Sequence, residues 1–132
     1  MGDYYGRIAA VDFDDTLRRR GGKSEGERVS GSKRGMWWLY DHDYAIIIWT
    51  CSDWSDTQIL DWLMHKGYPP VAAINRGLTP WDEYSSSPKV VAHVYIDDRA
   101  AMWQGWNACI AWLERQHPAV SKKVKDWERD NA

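Results

Sequence analysis

Phenylalanine occurs once in this chain of 132 residues and cysteine twice. Cys51 and Cys109 are too few for a disulfide framework, so the expected compartment is the reducing cytoplasm. No apolar run approaches the ~20 residues that a membrane span needs; "AIIIW" at 45–49 is typical of those present. The opening "MGDYYG" lacks a signal-peptide pattern, and Gly6 stands where a myristoylation motif wants Ser or Thr. Charge of one sign is also scarce overall. A net charge of −2 gives no bulk attraction to nucleic acid or to an acidic membrane, and leaves only local patches to supply it. Neither G-x-x-x-x-G-K-[ST] nor G-x-G-x-x-G is present, which excludes the nucleotide-binding loops built on those motifs.

Ten tryptophans are set against that single phenylalanine. Several recur at helical spacing with other apolar residues, which favours core and half-buried positions over a stacking surface for bases or sugars. Trp54 and Trp81, near predicted strand ends, are the two placed to stack on a ligand.

Four short apolar runs alternate with helical patterns. "RIAAVDF" (7–13), "YAIIIWT" (44–50), "VAAI" (71–74) and "AHVYI" (92–96) read as buried parallel strands. Helices are predicted over 34–42, 56–67 and 102–117, with Gly67 as a C′ residue. A short helix is predicted over 87–92, with Ser87 as its cap and Pro88 in its first turn. Residues 118–132 form a charged helix or tail, with Val120, Val124 and Trp127 on one face. This alternation predicts one α/β domain over residues 1–132. Its form is a three-layer, Rossmann-like parallel sheet with helices on both faces.

In such sheets ligands bind beyond the carboxyl ends of the strands. The first strand there ends in Asp12, Asp14 and Asp15, the second in Thr50, Cys51 and Ser52, the fourth in Asp97 and Asp98. Lys89 lies just ahead of the fourth. Carboxylates gathered from two strand ends repel one another unless something neutralises them. A hard divalent cation does so, and an all-oxygen donor set of this size suits Mg²⁺, which characteristically adds waters and a substrate phosphate. Thr50 and Lys89 then read as partners of that phosphate, a hydroxyl donor and a point charge. Of the two acids in Asp12-x-Asp14, one can attack phosphorus and the other can shuttle the proton. Cys51 has no visible activating partner and reads as a small strand-end residue.

"DFDDT" resembles the Asp-x-Asp-x-Thr signature of the haloacid dehalogenase-like (HAD) phosphatases. Thr50 after "AIIIW", Lys89, and the "DD" of "VYIDDR" resemble the family's three later motifs, in the family's order. The resemblance implies Asp12 as nucleophile and metal ligand. It implies Asp14 as general acid/base with its backbone carbonyl on the metal, Thr50 and Lys89 as phosphate-binding groups, and Asp97 and Asp98 as metal ligands. Asp15, where many relatives carry glycine, reads as a loop cap. The closing stretch "YIDDRAAMWQGWNACIAWL" resembles a small capless subgroup found in bacteria and phages.

HAD enzymes often insert a cap domain after the first motif or after the third strand. Residues 17–35 and 75–87 are too short for one, so the chain is expected to be capless. Within the first of these loops, residues 18–35 hold seven basic residues, five glycines and two acids, which reads as a mobile cationic flap. An open site either admits a large substrate or takes its lid from this loop or from a neighbouring subunit of a homo-oligomer. A small phosphorylated metabolite is the expected substrate, with a nucleic-acid end, 3′ or 5′, as the second choice. A non-catalytic module that binds a phosphorylated ligand is the rival from another class. It is disfavoured because both Asp12 and Asp14 are present.

Overall fold

The computed structural model describes residues 6–83 and 89–117. Its centre is β1 (Arg7–Val11), whose four inner residues are all buried. A strand buried on both sides needs apolar side chains at every position, and "IAAV" supplies them. β1 pairs in parallel with β2 (Tyr44–Ile48) on one side and with β4 (Val94–Ile96) on the other. A two-residue β3 (Ala73–Ile74) joins the outer edge of β2. The strand order is therefore β3-β2-β1-β4, an α/β arrangement of Rossmann type.

Alternate residues of the strands feed two separate cores. Ala9, Val11, Ile46, Ile48 and Ile96 pack against α1 (Ser32–Asp41), α2 (Asp56–His65) and α3 (Trp106–Gln116). Ile8, Ala10 and Ile47 pack instead against Leu78 and Val90, with Trp81 from a 3-10 turn at Trp81–Glu83 laid over them. Among the described residues three α-helices cover one face of the sheet, and the other carries a 3-10 turn. The tryptophans mostly follow the core expectation: Trp38 and Trp106 are fully buried, while Trp112 is 45% exposed.

Local chemistry sets the helix ends. α2 begins with a capping box in which Ser55 Oγ accepts from Gln58 N–H and Gln58 Oε1 accepts from Ser55 N–H. It stops before Gly67, whose φ of 80° is the left-handed C′ conformation read from the sequence. α3 begins at Trp106 rather than at residue 102. Gly105, at φ 91°, is its N-cap and breaks the helical pattern that extends upstream. The helix expected over 87–92 is not formed by residues 89–92, which run without regular structure; Ser87, Pro88 and the whole of 118–132 lie outside the described residues. Among the described residues no helix is long and apolar enough to cross a membrane.

α1 and α3 meet at a point with no room for a side chain. A Cβ on Gly35 would lie 2.2 Å from Cε3 and 2.4 Å from Cζ3 of the buried Trp106 indole. Helix propensity alone would make Gly35→Ala stabilising by about 1 kcal/mol. We expect the opposite: overpacking against a rigid indole should cost about 1–3 kcal/mol net, read as a lower urea midpoint with unchanged slope.

Candidate metal centre at the strand ends

The register explains why the acids converge. Val11 pairs with Ile96, so Asp12 and Asp97 are the next residues along two adjacent parallel strands, and Asp12 N–H donates to Ile96 O at 2.9 Å. Adjacent strands lie about 4.8 Å apart, which brings two side chains leaving the same rung into contact range. Asp98 follows directly. One carboxylate oxygen from each of Asp12, Asp97 and Asp98 lies within 4.8 Å of the others, and all three residues are half-buried.

Asp98 is held in place by a residue that the sequence reading assigned no part in the site. Thr16 is fully buried; its Oγ1 donates to Asp98 Oδ1 at 3.0 Å and accepts from Asp98 N–H at 3.0 Å. Its carbonyl accepts from Trp106 Nε1–H at 2.7 Å, so the indole packed against Gly35 also fixes the loop after β1. Within that loop Asp15 adopts φ 60°, a conformation Asp tolerates better than most residues. Its Oδ1 accepts from Arg20 N–H at 2.9 Å, the capping part expected of it.

The other predicted site residues are placed as follows. Asp14 turns to Arg18, with Oδ1 3.6 Å from Nη1. Thr50 lies two residues past the end of β2, on the opposite side of β1 from Asp97. Its N–H donates to Asn75 Oδ1 at 2.7 Å and its Oγ1 accepts from Ser52 N–H at 3.1 Å. Ser52 Oγ in turn accepts from Trp54 N–H at 3.2 Å, so the loop is built from successive side-chain-to-backbone bonds. Asn75, at φ 54°, is a second residue whose part the sequence did not reveal; an Asn just after a strand is its only signal. Lys89 is exposed, with Nζ 4.3 Å from the centre of the Tyr95 ring. Three of the six residues are thus brought together, while Asp14, Thr50 and Lys89 have other partners. Cys51 is exposed.

The basic segment is hydrogen-bonded rather than loose. Arg18 bridges to both Asp14 and Arg28, while Arg19 N–H donates to Glu27 O and Gly26 N–H to Arg19 O. Trp62 Nε1–H donates to Gly26 O at 3.0 Å and pins the turn to α2.

Burial, then the facing charges of Asp97 and Asp98, raise the Asp12 carboxyl from 3.8 to about 7, against a lowering by the Phe13 backbone N–H. A carboxylate resisting ionisation beside two others is a site short of positive charge. Oxygen donors of this kind fit a hard cation, and among the described residues no sulfur or imidazole ligand belongs to the cluster.

No protein-family model and no curated protein matches the chain. A solved structure, that of "the conserved protein coded by locus from Bacteroides thetaiotaomicron", matches with a TM-score of 0.69. The match covers 85% of this chain and 93% of that one at 21% identity. At that identity the likeness shows the fold alone.

Two outcomes follow from the crowding. A carboxyl whose folded value lies above its unfolded one stabilises the fold below about 3.8 and loses that contribution as pH rises through about 7. In EDTA the urea midpoint should therefore fall between pH 4 and pH 8, and Asp12→Asn should flatten the slope. Thr16→Val, nearly isosteric, should cost about 1–3 kcal/mol of stability because it leaves Asp98 without its partner; the same urea titration measures it.

Proposed function

We propose that this chain is a Mg²⁺-dependent phosphomonoester hydrolase of HAD type that works through an aspartyl-phosphate, with a small phosphorylated metabolite as substrate. The observation that carries the reading is the convergence of Asp12, Asp97 and Asp98 within 4.8 Å at the end of the central strand. Support comes also from the order of the four motifs and from a parallel register that sets the ends of β1 and β4 side by side.

Asp12, Asp97 and Asp98, with the Asp14 carbonyl, would hold the metal, whose charge would offset the acids and the phosphate oxygens. An Asp12 oxygen attacks phosphorus as the bond from phosphorus to the leaving oxygen breaks. Asp14 delivers a proton to that oxygen. It then takes one from the water that attacks the aspartyl-phosphate, which releases phosphate and restores the Asp12 carboxylate. The Thr50 hydroxyl accepts from Ser52 N–H and keeps its own hydrogen to donate to a phosphoryl oxygen. Lys89 joins the phosphate by leaving the face of Tyr95, a ring contact weaker than a charge-assisted bond to an anion.

Phosphate release from an aryl phosphate, with Mg²⁺ and with EDTA, tests this directly. We expect turnover that EDTA abolishes, a loss of at least about 10³-fold in Asp12→Asn, and a loss of about 10²–10⁴-fold in Asp14→Asn. Metal-dependent turnover that survives Asp12→Asn would rule out the aspartyl-phosphate route.

A further inference from the structure

Arg18 has an arrangement that folding alone does not account for. Its side chain is 12% exposed, and its guanidinium lies 4.3 Å from the centre of the Trp54 ring. Trp54 is braced from below by Phe13, with ring centres 5.7 Å apart, and its N–H is held by Ser52. The guanidinium is therefore fixed in a slot between the Asp14 loop and the Thr50 loop. Yet it is poorly satisfied there. The 3.6 Å approach to Asp14 is longer than a hydrogen bond, and Nε is buried with no acceptor among the described residues. A guanidinium is a cation with five N–H donors, so a buried Nε–H left unmet beside so long an approach to Asp14 calls for an anion.

Position says which anion. Thr50 and the carboxylate cluster take the phosphoryl end of a substrate, whereas Asp14 is the group that meets the leaving oxygen. A cation beside Asp14 consequently faces the leaving portion. We infer that Arg18 recognises a second anionic group, carboxylate or phosphate, carried on the leaving portion of the substrate a few bonds from the ester oxygen. Trp54 holds the guanidinium plane in position for it. This inference rests on the phosphatase reading of the Asp12 cluster and narrows its substrate class to phosphomonoesters with an anionic leaving group.

Paired substrates of matched size test it. The first pair is 3-phosphoglycerate and glycerol 3-phosphate; the second is a nucleoside 3′,5′-bisphosphate and the corresponding monophosphate, so that carboxylate and phosphate are told apart. With Mg²⁺, the native chain should prefer the anionic member of at least one pair by about tenfold or more in kcat/KM, the scale of one charge-assisted contact. Arg18→Gln should erase that preference mainly through KM, lowering kcat/KM for the anionic member about tenfold more than for the neutral one. Arg18→Lys should recover part of the preference, and far-UV circular dichroism should match the native chain for both variants. No preference in the native chain, or equal losses for both members of a pair, would overturn the inference. Binding of the same compounds to the Mg²⁺-loaded protein, measured by calorimetry, keeps the two readings separate. Failure of turnover everywhere counts against the phosphatase. An Arg18-dependent binding preference for the anionic member still supports the inference, and its absence rejects it.

Discussion

A single hydroxyl, Thr16 Oγ1, ties the loop after the central strand to the end of its neighbour, and the carboxylate cluster depends on that tie. It donates to the Asp98 carboxylate and accepts from the Asp98 N–H, so it fixes both the backbone and the side chain of one acid. Register brings Asp12 and Asp97 together, and the reciprocal bond with Thr16 holds Asp98 beside them. Thr16 holds its place because the Trp106 indole donates to its carbonyl, and the indole sits where it does because Gly35 leaves it room. An apolar helix crossing on one face of the sheet is thus linked to a polar site on its edge, and packing of this kind is stiff enough to preorganise charge.

The legible part of the fold was what short-range pattern controls. Four apolar runs gave four parallel strands; β1 is buried at its last four positions, as a strand covered on both faces must be, while β4 exposes Tyr95. Acids at two strand ends gave a converging cluster because parallel register puts the ends of β1 and β4 side by side. What pattern could not show was partnership across long separations. Thr16 and Asp98 are 82 residues apart, and Thr50 and Asn75 are 25 apart. Thr16 closes the Asp-x-Asp-x-Thr stretch but carries no hint of its distant partner, and an asparagine after a strand looks like an ordinary loop residue, since Thr and Asn favour turns for purely local reasons. The start of α3 was misplaced for a related reason. Apolar spacing continues through Met102 and Trp103, but backbone conformation at Gly105 decides where the helix begins.

Net charge proves a poor guide to this surface. The total of −2 conceals an acidic seam between β1 and β4 and a cationic turn anchored to α2 by the Trp62 indole. Pinning that turn lowers the entropy lost when it meets an anion, which a free glycine-rich loop would lose on every encounter.

The two charged regions also lie on different sides of the central strand, and this gives the site a direction. Acids are concentrated at the seam with β4. The Thr50 hydroxyl, the Trp54 ring and the Arg18 guanidinium gather towards the end of β2. A phosphomonoester of the proposed kind would meet a cation-demanding wall on one side and an anion-demanding one on the other. The proposed orientation, phosphoryl oxygens towards the acids and any negative charge of the leaving portion towards Arg18, would satisfy both. Charges held by the half-buried Trp54, itself packed on the buried Phe13, would impose that orientation electrostatically before a substrate arrives.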